Sequence, residues 1–214
     1  MVDDQLQGVT ASLAVEMLLL VTGASGVGKS TVRRLLADEL PAVIRAVELA
    51  QVVEIPARYD RGWRQRSVEQ VVQAALAEQK TGRHLLLAGD PVPPGEVLAA
   101  PSADQLDGFA ACLLDCAPAE QERRLRGRGD PPELLHHHVA FAEWMRGHAR
   151  DPSHRLDVIA GGWAEMRWER LPSSWEVAEI DTTDLTPEDV AAEVLTWCRD
   201  VSGLVVDPES DVPG

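Results

Sequence analysis

Short apolar runs alternate along the chain with stretches whose apolar residues recur every three or four positions. Met17 to Val21, Ala42 to Leu49, His84 to Ala88, Phe109 to Asp115 and Val177 to Ile180 read as strands, several of them apolar enough to be buried on both faces. Between the first two, Ser30 to Leu40 places Val32, Leu35, Leu36 and Leu40 on one helical face. Ser67 to Gln79, Pro118 to Arg126, Asp130 to about Arg150 and Thr186 to about Arg199 read as further helices, with shorter turns near Ser102 to Leu106 and Trp163 to Glu169.

Boundary residues support several of these assignments. Pro41 stops the first helix, and Thr81-Gly82 stops the second, for which Ser67 is the expected N-cap with Gln70 as its capping-box partner. Asp130-Pro131-Pro132-Glu133 and Thr186-Pro187-Glu188-Asp189 both begin with a capping side chain followed by proline at the first helical position. Pro91 to Pro101 is expected to be a loop. Strands alternating with helices predict an α/β, three-layer architecture around a five-stranded, mainly parallel sheet. One domain over residues 17–200 accounts for the pattern, between a flexible lead-in (1–16) and a flexible acidic tail (201–214).

Composition narrows the partners. With 45% hydrophobic residues the chain can bury a full core, and its net charge of −15 opposes nucleic acid or an anionic membrane as the main partner. Cys112, Cys116 and Cys198 lack metal-ligand spacing, and three cysteines make no disulfide framework. No segment reads as a signal peptide or a membrane span, so the cytoplasm is the expected compartment. Oligomeric state has no signature in the sequence.

Gly23-Ala24-Ser25-Gly26-Val27-Gly28-Lys29-Ser30, followed by Thr31, fits G-x-x-x-x-G-K-[ST] at every fixed position, between an expected strand and an expected helix. Glycines let backbone N–H groups turn toward phosphate oxygens, and the helix N-terminus adds partial positive charge. The motif predicts ATP and Mg²⁺ as cofactors, with Lys29 reaching the β- and γ-phosphates and the Ser30 hydroxyl on the metal. In a parallel sheet ligands gather outside the carboxyl ends of the strands, where Glu48, Asp90, Asp115 and Asp181 fall. Asp90 is the expected Mg²⁺ partner, through a water, or else a cap on the following loop. Glu48 either orients or deprotonates an acceptor hydroxyl or is an exposed acid at a strand end.

Clustered arginines extend the picture. Arg123, Arg124, Arg126 and Arg128 crowd together; two are expected to face a polyanion, and the others to pair with Glu120 and Glu122. Arg58, Arg61, Arg64 and Arg66, with Tyr59 and Trp63, either grip an acceptor or form a basic surface loop. Arg146 and Arg150 share a helix face and either reach the transferring phosphoryl group or pair with Glu143 or Asp151. His136-His137-His138 cannot converge on one ion from consecutive helical positions and reads as helix surface with one inward histidine. Trp163, Trp168 and Trp175 either wall a pocket or pack a small core.

From about Leu18 to Arg199 the chain resembles the small P-loop kinase family that includes nucleoside monophosphate, gluconate and shikimate kinases. The resemblance rests on the Gly23 to Thr31 motif, the five strand-and-helix units, Leu114-Asp115 followed by Arg124-x-x-x-Arg128, and Ile180-Asp181-Thr182-Thr183. It implies the P-loop NTPase fold, an acceptor-binding insertion at about 48–83 and a mobile lid at about 123–135. It also implies that Arg124 and Arg128 meet the adenine and the ATP phosphates, that Thr182 precedes the loop passing the base, and that Glu48, Arg58, Trp63 and Arg64 lie in the acceptor region. The stretch Gly89-Asp90-Pro91-Val92-Pro93-Pro94-Gly95-Glu96 departs from the Asp-Gly and Pro-Arg pattern of nucleotide-directed members, and markers of gluconate or shikimate kinase are missing from the acceptor region. The expected function is ATP-dependent phosphoryl transfer to a small-molecule acceptor, a nucleotide, nucleoside or other metabolite. A nucleotide-operated switch with slow or no hydrolysis and a phosphotransferase acting on a macromolecule are the alternatives.

Overall fold

The computed structural model describes residues 15–39 and 43–203. The helix stop at Pro41, the tail from residue 204 and nearly all of the lead-in lie outside the described residues. Five strands form one sheet: β1 (Met17–Thr22), β2 (Ile44–Val47), β3 (His84–Ala88), β4 (Gly108–Asp115) and β5 (Val177–Asp181). Their order is β2-β3-β1-β4-β5, and every pairing is parallel. β1 therefore lies at the centre, with Leu18 opposite Leu85 on one side and Phe109 on the other.

Alternation along β1 divides the core between two faces. Leu19 and Val21 pack with Val32 and Leu36 of α1 (Lys29–Glu39) and with Val190, Val194 and Cys198 of α7 (Pro187–Ser202). Leu18 and Leu20 point the other way, toward Val68, Val71 and Val72 of α3 (Trp63–Gln79) and Val97 of α4 (Pro94–Leu98). The three leucines of β1 are fully buried, as are Leu85, Leu86 and Leu87 of β3, which is why neither strand shows polar alternation. A third cluster forms where Trp144 and Met145 of α6 (Leu135–Arg150) meet Leu113 and Ile159.

Helix starts depart from expectation where a cap has a competing partner. Trp63, not the residue after Ser67, begins α3; Ser67 donates its hydroxyl to the Trp63 carbonyl at 2.8 Å, inside the helix. Asp130 does not cap α6. It accepts from Arg128 Nε at 3.0 Å, and a short 3₁₀ turn at Pro132–Leu134 precedes the helix. The Pro-rich loop contains α4, with Pro94 in its first turn, and α2 (Leu49–Val52) follows β2 directly. In place of the short helix expected around Trp163 to Glu169 there is a turn closed by the Met166 N–H on the Trp163 carbonyl and a 3₁₀ segment at Trp168–Arg170. The Thr186 capping box at α7 is as expected, Thr186 Oγ1 accepting from the Asp189 N–H at 3.2 Å. The remaining helix, α5 (Pro118–Arg128), ends at Gly129 in the left-handed conformation.

Candidate functional site

Because β1 is flanked by β3 and β4, its carboxyl end opens at the point where the chain changes direction across the sheet. Residues 23–28 fill that point. Gly23, Gly26 and Gly28 have φ of +140°, +90° and +105°, and a Cβ at Gly23 would collide with the Leu114 carbonyl, so only glycine permits this path. Among the described residues, no hydrogen bond within the protein uses the backbone N–H of residues 26–30 as donor. These donors and the start of α1 face one concavity, a donor set suited to phosphate oxygens.

Lys29 is 5% exposed and donates from Nζ to the Ala24 carbonyl at 2.6 Å. Burial lowers its pKa from 10.5 to about 8; Asp90 pulls it up and Arg128 pushes it down, each less strongly than burial acts. Two long-range side chains brace the loop. Gln121 Nε2 donates to the Ser25 carbonyl at 2.9 Å, and Thr182 Oγ1 donates to the Val27 carbonyl at 3.3 Å. Gln121 has no distinguishing signal in the sequence, being a glutamine on an otherwise polar helix, although it is 1% exposed here.

The acids lie on the β3 side. Asp90 Oδ2 accepts from the Leu49 N–H at 2.7 Å, and burial raises its pKa against the effect of that bond. A Cβ built on Gly89 would lie 3.0 Å from Glu48 Oε2 and 3.6 Å from Ser30 Oγ, so Ser30, Glu48 and Gly89 converge. Arg33 approaches Glu48 at 3.7 Å. Hydroxyl and carboxylate oxygens suit a hard divalent cation that also takes phosphate and water oxygens. No group of three or more His, Cys, Asp or Glu side chains among the described residues could hold a metal by itself.

Two cavities meet at the loop. The smaller, about 400 Å³, is lined by Ser25, Lys29, Ser30, Gly89, Arg124 and Arg128. The larger, about 630 Å³, runs along Gly26, Val27 and Thr31 to Arg124 and the segment Thr183–Pro187. Arg124 borders both. It is held by Glu120 at 2.6 Å and by the Thr182 hydroxyl and carbonyl at 3.0 and 2.5 Å. Thr182 itself is fully buried beneath the loop, and the residues after it line the larger cavity. Of the four clustered arginines, Arg126 pairs with Glu122 and borders neither cavity, while Arg123 pairs with Glu120 at the rim of the larger one.

Other candidates separate from this centre. Arg146 pairs with Asp115 at 2.9 Å and Arg150 with Glu179 at 2.8 Å, so neither follows the two pairings expected of it. Asp181 accepts from its neighbour Thr183. His136 and His137 are exposed; the buried histidine of α6 is His148, whose Nε2 accepts from the Gly95 N–H at 3.2 Å. Burial takes its pKa down to about 4. Trp175 packs edge-on to His148 and Trp168 joins the third core cluster. Arg58 is exposed, Trp63 stacks obliquely with Tyr59 at 4.6 Å, and Arg64 pairs with the buried Glu96 at 2.7 Å.

The chain is similar in structure to a sugar kinase from Janibacter sp. HTCC2649 (17% identity, TM-score 0.53, covering 90% of this chain and 99% of that one). It is also similar to a gluconokinase from Sinorhizobium meliloti 1021 (13% identity, TM-score 0.52, 88% and 95%). A chain of the Pnkp1/Rnl/Hen1 RNA repair complex matches over 64% of this chain and 47% of its own, at 15% identity and TM-score 0.50. No protein-family model and no curated protein matches the chain. At these identities the likeness establishes the fold: an α/β fold of the P-loop kinase type, with a five-stranded parallel sheet. No helix among the described residues is long and apolar enough to cross a membrane.

Proposed function

We propose that the protein is a phosphotransferase that uses Mg·ATP and transfers the γ-phosphoryl group to a small-molecule acceptor. One observation carries this reading: the unpartnered N–H groups of residues 26–30 open beside the buried Lys29, between two cavities. The kinase fold of the structural neighbours supports it. Lys29 would exchange the Ala24 carbonyl for β- and γ-phosphate oxygens, where its charge is worth most because the site is desolvated. Arg128 would act on the transferring group and Arg124 beside the base, which the larger cavity is wide enough to take.

Ser30 and, through water, Asp90 would hold Mg²⁺, which would offset the negative charge of the phosphates. Glu48 would accept a hydrogen bond from the acceptor hydroxyl and orient it toward the γ-phosphorus. Arg58, Trp63 and Arg64 belong to the acceptor side of this reading, and the lid at about 123–135 would close to exclude water. The test measures γ-phosphate transfer from Mg·ATP across nucleoside monophosphates, nucleosides, sugars and sugar acids, with Lys29→Ala as the blank. Stimulation by one class, absent in the blank, is expected. Tight ATP binding with no acceptor raising turnover above the basal hydrolysis rate would replace this reading with the nucleotide-operated switch.

A further inference from the structure

One cation lining the smaller cavity at the loop has no part in the function proposed above. Arg34, on the second turn of α1, borders that cavity together with Lys29, Arg124 and Arg128, and no carboxylate side chain contributes to the lining. Arg34 is exposed, and its guanidinium folds back along the helix: Nε donates to the Ser30 carbonyl at 3.2 Å and Nη2 to the Thr31 hydroxyl at 3.4 Å. Its charge is thereby carried over the first turn of α1, where the helix dipole already adds positive potential and no acidic side chain offsets it. Both of these acceptors are uncharged. Arg124, by contrast, is tied to Glu120, and Arg128 to Asp130. A guanidinium held beside three other cations at the positive end of a helix is unfavourable unless an anion joins them.

We propose that Arg34 binds the α-phosphate of the nucleotide. Its neighbour Thr31 selects that phosphate: with Gly26, Gly28 and Arg124, Thr31 borders both cavities, so a phosphate chain running from Lys29 toward the segment Thr183–Pro187 passes beside it. Lys29 and Ser30 take the outer phosphates in the proposed function, which leaves the phosphate next to the ribose for the guanidinium beside Thr31. The bonds Arg34 makes in the unliganded protein are long for N–H donors, and phosphate oxygens would replace them with shorter, charge-assisted ones. The planar fork of arginine can engage two oxygens of one phosphate, which a lysine ammonium does not match. This role depends on nucleotide binding at the loop, as in the proposed function, and not on phosphoryl transfer.

Calorimetric titration with Mg·ADP and with Mg·ATP, and no acceptor present, tests this role. Without an acceptor the only phosphates are those of the nucleotide, so a phosphorylated acceptor cannot account for the result. Arg34→Ala is expected to weaken ADP and ATP by the same factor, about tenfold, the scale of a lost hydrogen bond to a charged group. Arg34→Lys, which keeps the charge and loses the fork, is expected to fall between the two proteins. Because the position is exposed and alanine favours a helix, the melting temperature should not fall. Unchanged affinity for both nucleotides, or a loss confined to ATP, which would put Arg34 at the γ-phosphate, overturns the proposal. Weakening of both nucleotides in a protein that no acceptor stimulates leaves Arg34 its role and removes the phosphotransferase reading. Transfer to an acceptor, with nucleotide affinities that Arg34→Ala does not change, does the reverse, and failure of the unaltered protein to bind either nucleotide removes both.

Discussion

The phosphate loop and the buried Arg64–Glu96 pair are built on opposite principles. The loop offers backbone donors over a continuous run of residues, and Lys29, the side chain proposed to act with them, belongs to the same run. The pair joins residues 32 positions apart, and the adjoining Gln65 reaches a partner 94 positions away. A backbone site depends on local conformation and shows as a motif. A side-chain pairing depends on the finished fold and shows only when the elements are packed.

Removing the charge from each region should therefore have different consequences. Lys29→Ala is expected to reduce phosphoryl transfer at least about a hundredfold while the melting temperature holds or rises, because a desolvated ammonium is being removed. Arg64→Leu should act on the fold: it leaves Glu96 buried without its partner, and denaturant titration should show a loss of about 2 kcal/mol, less than for a fully buried pair because Arg64 is partly exposed. Adding Glu96→Leu should recover part of that loss. Recovery of nothing would mean that the pair's packing, not its charge, supports α4.

A third expectation separates binding from stability within the loop itself. Lys29 has a pKa of about 8 in the folded protein against 10.5 unperturbed, so between these values the unfolded chain holds a proton that the folded one has lost. The unliganded protein then gains stability as pH rises through this window, relative to Lys29→Ala, and loses it again as pH falls to about 8. ATP affinity should change in the opposite sense, falling by up to about tenfold per pH unit above 8, since the phosphates require the ammonium form. An affinity as flat with pH as that of the alanine variant would show that Lys29 does not meet the phosphates. The smallest effect is expected at Asp130, which occupies the exposed Arg128: Asp130→Asn should tighten ATP binding a few-fold in calorimetry, and weaker binding would count against Arg128 as a phosphate ligand.

What sequence pattern revealed follows the same division. His84–Ala88 forms over the expected residues, the strand–loop–helix context of Lys29 is present, and Thr186 caps α7 through a partner three positions away. Each of these depends on neighbours in the chain. Asp130 has the pattern of a helix cap, but the guanidinium of Arg128 is a stronger partner than backbone N–H groups, two of which prolines have removed. α4 was concealed by the prolines around it, and Gln121 and Glu96 carry no local mark because their roles depend on partners reached through the fold. Thr182 lies just past β5 with its hydroxyl donating to the Val27 carbonyl beneath the loop, and the residues that follow it line the larger cavity.

The central position of β1 has a consequence for how the chain is made. The first of the described strands to be synthesised can pair with neither of its sheet partners until β3, and later β4, have followed it. Its three leucines, fully buried at the end, remain without a sheet through the whole of α1, β2 and α3. During that interval this hydrophobic segment is open to capture by chaperones or by another unfinished copy.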